Sequence, residues 1–428
     1  MESFSCPEDS FHSRVKRPGR ALHETAQREA ASATETVLLA VAAGLGVGFT
    51  VILTVMCAAH LWNVDSSGHP LVNDFVSFWS AGQLALHGNP LAAYDPLLRH
   101  AAEIATVGHN FPDLIGWWYP PLFLFVAVAL ACAPYALAFN LMNVVTLLLH
   151  AGATGFIARQ RGALFLVAAP PWAMLGMIHG QNQFLTAAIL GAVLVSLEGY
   201  PVFSGLLLGL LTYKPQLGLL FPIALAFGGY WRAFTWACVG TVLWTALSGA
   251  VFGFDTLLAF VHSLSVVGHR VLETNPDYLP NLQSVYGVAR FFGIPERVAW
   301  VAQTLSVAAS AWVVARLWRS DVPFELKAAG LAAAIPFATP YFWTYDLIVL
   351  SVALSFMFRQ RRFDSGEWLA IVIAILCGGY FVAFGPQNLH FTGLISCAAI
   401  GTIVWRRVRE FRGTLAPASA PYDLAMGA

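Results

Sequence analysis

The chain has 428 residues with Lys+Arg 23 and Asp+Glu 23, hence no net charge; 58% of its residues are hydrophobic and only 11% charged. Soluble domains carry roughly 25% charged residues, so the composition excludes an ordinary soluble fold and indicates an integral membrane protein, all-α in class. The neutral balance gives no pull toward a polyanion, so no nucleic-acid partner is expected.

Residues 1–36 form a polar tail with Arg14, Lys16, Arg17, Arg20 and Arg28, expected to be disordered and cytoplasmic. An apolar run over 37–59 follows. At about 1.5 Å per residue it is long enough for a hydrocarbon core of about 30 Å, and its length and long lead mark a retained helix rather than a cleaved signal. Directly behind it stands "NDFVSFWSAGQLALHGNPLAAYD", residues 73–95. Phe75, Phe78, Trp79, Leu84 and Leu86 recur there at helical spacing, which predicts a helix lying at the membrane interface. Asp74 with Asn73 is either the cap of that helix or a functional carboxylate. Asp95, in "GNPLAAYDP", reads as a turn or cap residue.

Twelve more apolar segments complete the membrane-embedded domain, 37–405: near 119–133, 137–158, 163–178, 183–197, 202–213, 216–229, 233–251, 299–317, 325–338, 345–358, 368–384 and 390–405. "RQRR" at 359–362 and "RRVREFR" at 406–412 mark the cytoplasmic side under the positive-inside rule, with 406–428 a cytoplasmic tail. Working back from them places 18 of the 23 Lys and Arg inside with both termini and leaves Arg99, Lys214, Arg270, Arg290 and Arg297 outside. Thirteen segments conflict with two inside termini. One of the Pro-broken stretches between 118 and 178 therefore re-enters, leaving about 12 crossings. The six cysteines have no CxxC spacing, and neither a metal nor a cofactor is expected.

This topology puts every compact polar motif on the non-cytoplasmic side: "NDF" at 73–75, "WWYPP" at 117–121, "HGQNQ" at 179–183, "YKPQ" at 213–216, "GHR" at 268–270, "PNLQS" at 280–284 and "TPYFWTYD" at 339–346. One site at the outer interface accounts for that convergence. Lys214, ahead of the helix-breaking Pro215, reads as a cation for a phosphate or as a snorkelling lysine. "HGQNQ" supplies hydrogen-bonding groups suited to sugar hydroxyls, or an ordinary polar turn. Asp346 is a site residue or a complement to a helix dipole. A transporter or lipid-linked-sugar flippase is the main alternative function, since broken helices with polar residues also describe transporters; against it, the sequence has no repeated halves. His150, alone inside an apolar segment, reads as structural rather than as an acyltransferase histidine.

The order of Asp74-Phe75, Trp79, Ala81-Gly82, Gly88-Asn89-Pro90 and Ala93-Tyr94-Asp95, then "YPP", "GQNQ", "KPQ", and "TPY" followed by "YDL", resembles the family 87 polytopic glycosyltransferases of the GT-C superfamily, over about residues 37–405. Mycobacterial members extend phosphatidylinositol mannosides. The resemblance implies a GT-C-like bundle, a polyprenyl-phosphate-linked sugar (mannose in those members) as donor, a lipid or glycan acceptor, and transfer with inversion at the outer face of the cytoplasmic membrane. It implies that Asp74 is catalytic. The chemistry then asks for a cation at the leaving phosphate, Lys214 with Arg270 second, and for polar contacts to sugar or acceptor from His179, Gln181, Asn182, Gln216, Tyr345 and Asp346. Where the mycobacterial enzymes tend to carry a Trp followed by paired His, this chain has "FWTYD", which leaves open both the acceptor and the residue that assists the base.

Overall fold

The computed structural model describes residues 43–112, 115–159, 170–268, 279–384 and 391–415, with positions 36 and 40. Among the described residues the chain is helical and forms no strand, only the isolated bridges Val64 with Pro70 and Leu282 with Trp343. Tyr135–Ala158, Trp231–Phe252 and Glu296–Trp318 are long and apolar enough to cross a membrane. Shorter apolar helices include Ala43–Ala58, Pro121–Ala131, Gln183–Ser196, Pro201–Tyr213, Pro215–Phe227 and Ser365–Cys377. This is a multi-pass membrane protein.

The long helices carry apolar side chains on their outward faces, as a lipid-exposed bundle requires, while Asn143, Thr146, His150 and Thr154 of Tyr135–Ala158 are turned inward. Leu148, Val242 and Leu305 point away from the protein. The centre of the bundle is the helix Val349–Gln360, buried from Val349 to Phe358, which packs on Tyr135–Ala158, Gln183–Ser196 and Phe324–Ala334. At one end His150 is buried with Nε2 2.9 Å from Ser351 Oγ, a structural pairing.

Prolines set the element boundaries. Pro121 starts a helix that ends at Ala131, about 16 Å at 1.5 Å per residue and so half of a bilayer core of about 30 Å. Pro171–His179 is also short; residues 160–169 ahead of it lie outside the described residues. Pro215 divides Pro201–Tyr213 from Pro215–Phe227 and leaves Lys214 extended between them, at φ −130°.

Two elements go beyond the expectation. The helix Asp74–Leu86 forms as expected, and its Phe75, Val76, Ser77, Phe78, Ser80, Ala81 and Gly82 are buried, because it packs on Leu124–Ala131 as well as on Pro96–Val107. A Cβ at Gly82 would stand 2.1 Å from the Ala127 carbonyl oxygen, so only glycine permits that approach. At the other end the last helix does not stop near 405 but continues through the basic run to Leu415. Its Arg407 is buried against Glu367, which carries the helix on past the apolar stretch.

Candidate active site

Asp74 begins its helix, but the cap is Asn73. Asn73 Oδ1 accepts from Phe75 N at 3.0 Å and from the Tyr135 hydroxyl at 3.0 Å. The Asp74 carboxylate is thereby released from capping. Its Oδ2 accepts a 2.6 Å hydrogen bond from Gln181 Nε2, and among the described residues it has no further hydrogen bond. Gln181 is in turn oriented by the Tyr119 hydroxyl, which donates to its Oε1 at 3.3 Å, and the Tyr119 carbonyl accepts from the Tyr94 hydroxyl at 3.0 Å.

The "HGQNQ" turn can reach Asp74 because Gly180 closes the preceding helix in the left-handed region, at φ +64°. A Cβ there would meet Phe139 and Phe75 at 2.6 and 2.7 Å, so the turn lies directly on the residue that follows Asp74. Aromatic contacts tie the motifs further. Phe78 meets Tyr119 and Phe123 edge-on at 5.3 and 5.2 Å, and Phe123 stacks on Tyr213 at 5.2 Å. Tyr213 then bonds Thr186 through its hydroxyl, 2.5 Å away. Opposite, Gln283 N donates to the Phe342 carbonyl at 2.7 Å and Thr344 Oγ1 to the Asn281 carbonyl at 3.1 Å, joining "PNLQS" to "TPYFWTYD".

These elements enclose a cavity of about 170 Å³. Six expected residues line it: Asp74, His179, Gln181, Lys214, Gln216 and Tyr345. Asn182 does not; it is buried with its amide near the Tyr119 hydroxyl but closes no hydrogen bond there. Asp346 also stands behind the wall, fully buried. Arg270 lies outside the described residues.

Lys214 does not snorkel outward but is buried and paired. Its Nζ is 2.8 Å from Asp346 Oδ1 and 5.2 Å from the centre of the Tyr345 ring, which stacks on Trp343 with the planes 6° apart. A lysine ammonium this deep needs a counter-charge, and the acid sits 132 residues downstream. Nor does Asp346 begin a regular α-helix; it lies in the 3₁₀ turn Thr344–Ile348. Asp95 is the cap of Pro96–Val107, accepting from Leu97 N and Leu98 N at 2.8 and 3.0 Å.

Trp118, Asn281, Trp343 and Thr344 line the cavity without having been singled out. Each belongs to a motif placed on this face, so the motif signalled them where residue type alone did not. Trp118 also walls a neighbouring cavity of about 370 Å³ with Asp95, Arg99 and His262.

The sequence profile of Glycosyltransferase family 87 matches residues 117–340. The chain belongs to that family. No curated protein and no solved structure matches it. The matched span carries "WWYPP", "HGQNQ", "YKPQ" and "PNLQS", which form most of the cavity wall, while Asp74 enters it from the preceding segment. The protein is a glycosyltransferase.

Proposed function

We propose that this glycosyltransferase moves a hexose, mannose by the family resemblance, from a polyprenyl-phosphate carrier to a lipid or glycan acceptor at the outer face of the cytoplasmic membrane, with inversion. The observation that carries the reading is the Asp74 carboxylate, released from capping by Asn73 and aimed into the cavity by Gln181. Asp74 takes the acceptor hydroxyl proton as that oxygen attacks the anomeric carbon; the bond from that carbon to the phosphate oxygen breaks, and the phosphate leaves with the electron pair. Lys214, with one N–H committed to Asp346, turns its remaining donors to the leaving phosphate. Gln216 and His179 contact hydroxyls from the walls, and Tyr345 backs the ammonium. Asn182 and Asp346 act from behind the wall, and Arg270 remains the second phosphate candidate. The GT-C-like bundle crosses about 12 times with both termini inside, and the helices Asp74–Leu86 and Pro96–Val107 sit at the outer interface.

Asp74→Asn tests the base. Asn73 keeps the cap, so the fold and its melting temperature stay put, while transfer from polyprenyl-phosphate mannose falls by about 10²-fold or more. Near-normal turnover removes Asp74 from the mechanism. Sidedness is tested by cysteine labelling in intact cells, in a background lacking the exposed Cys57, Cys132 and Cys238. His87→Cys should label directly and Arg409→Cys only after permeabilisation; the reverse pattern overturns an outer site.

A further inference from the structure

At the end of Glu296–Trp318 remote from the cavity, two openings run together. One, of about 460 Å³, lies between that helix, Phe324–Ala334 and Thr392–Leu415; the other, of about 520 Å³, continues from it, sharing Trp312, Arg316 and Arg412. The first is an apolar groove with Val313, Leu317, Ala333, Phe337, Val404 and Trp405 on its walls. Two rim indoles, Trp312 and Trp405, are largely exposed, the placement such amphipathic rings take near a headgroup region. A Cβ built on Gly401, inside the groove, meets nothing within 4 Å. Among the described residues, none fills that space.

The second opening is charged. Arg316, Arg319 and Arg412 line it against one acid, Asp321. Among the described residues none of the three arginines makes an ion pair; Arg316 meets only the Trp312 ring, at 5.9 Å. Their neighbours differ in that respect. Arg359, Arg361, Arg406 and Arg407 each hold a carboxylate within 3.3 Å. Unpaired arginines gathered at the polar mouth of a lipid-facing groove match an anionic headgroup over an acyl chain.

We propose that this groove is a binding site for one anionic phospholipid, its phosphate held by Arg316, Arg319 and Arg412 and one acyl chain lying between Glu296–Trp318 and Thr392–Leu415. The site is separate from the sugar-transfer cavity and does not depend on which donor that cavity takes. A phospholipid seated there joins three helices that otherwise leave a gap.

The test uses the full chain, purified and reconstituted with an equimolar mixture of phosphatidylglycerol and phosphatidylcholine, then returned to detergent. Native mass spectrometry counts the lipids retained. The wild type is expected to keep one phosphatidylglycerol with a preference of about tenfold or more over phosphatidylcholine, as three basic groups near a headgroup allow. Arg316→Gln, Arg319→Gln and Arg412→Gln combined should abolish the preference. Gly401→Phe keeps all three arginines, starts from a Cβ with nothing within 4 Å and should lose the retained lipid, which decides the matter even if the triple variant folds poorly. Equal retention of the two lipids by the wild type, or undiminished phosphatidylglycerol on Gly401→Phe, overturns the proposal.

Discussion

The two ends of the bundle treat buried charge in opposite ways. At the cavity, Lys214 and Asp346 share a single 2.8 Å contact, and Asp346 Oδ2 has no partner among the described residues. Both amide atoms of Asn182 and of Gln183 are likewise unpartnered. At the far end Glu367 uses both oxygens. It accepts from Arg407 Nε and Nη2 at 2.7 Å each, from Arg361 Nη2 at 2.9 Å and from Asp364 N at 3.1 Å. Arg407 also covers the Phe363 ring at 4.8 Å. Buried polar groups are ordinarily satisfied, so the far end is a structural lock. At the cavity end, by contrast, hydrogen-bonding groups directly behind the wall are left unused among the described residues.

The contrast is tested first by breaking each ion pair. Removing one partner of a buried pair costs about 3–5 kcal/mol because the other charge is left uncompensated. Arg407→Ala should therefore lower stability by that order while the turnover of the enzyme that remains folded is unchanged. Lys214→Ala should lower stability similarly and abolish transfer as well. The double replacement Lys214→Met with Asp346→Leu separates the two effects: it should recover much of the stability and none of the activity. Thermal melts and single-turnover transfer assays read both; an active Lys214 variant would make the two ends alike.

A smaller effect is expected at Gln181. Gln181→Leu removes the bond that aims Asp74, and a hydrogen bond to a charged group is worth about 1.5–3 kcal/mol, so turnover should drop by about ten- to hundredfold with little change in melting temperature. A drop in stability without a drop in turnover would make Gln181 a packing residue.

The smallest effect lies in the first-loop helix Pro96–Val107. Burial, against the opposing pull first of Arg99 and then of His100, holds the Glu103 carboxyl above the ordinary glutamate value. A raised carboxyl binds its proton more tightly in the folded state. Its stabilisation is full below the unfolded value of about 4.3 and is lost as pH rises through the folded one. Melting temperature should fall over that window in the wild type and fall less in Glu103→Gln; parallel curves would show that Glu103 is not the group responsible.

The sequence revealed the site's inventory better than its wiring. Apolar periodicity and the positions of Pro121, Pro171 and Pro215 located the broken helices, because chain stiffness is local. The polar motifs were legible since uncompensated hydrogen-bonding groups are conspicuous in an apolar chain, and six of them do meet in one cavity. The pairing of Lys214 with Asp346 was not legible, because it depends on how two helices dock. Nor was the division of labour between Asn73 and Asp74: either side chain suits a cap, and only the Tyr135 hydroxyl on Asn73 and the Gln181 amide on Asp74 distinguish them. The depth to which Asp74–Leu86 is buried was not legible for the same reason, since its partner is a helix that starts 35 residues after Leu86, at Pro121.

Gly82 gives that packing a mechanical meaning. With no room for even a methyl group between its backbone and Ala127, the helix bearing Asp74 is keyed into the half-length helix behind it. One jaw of the cavity is therefore fixed. A substrate that needs more than the resting volume is therefore expected to displace the opposite wall, where the Leu282–Trp343 bridge, the Thr344–Asn281 hydrogen bond and the Trp343–Tyr345 stack join two loops rather than two helices.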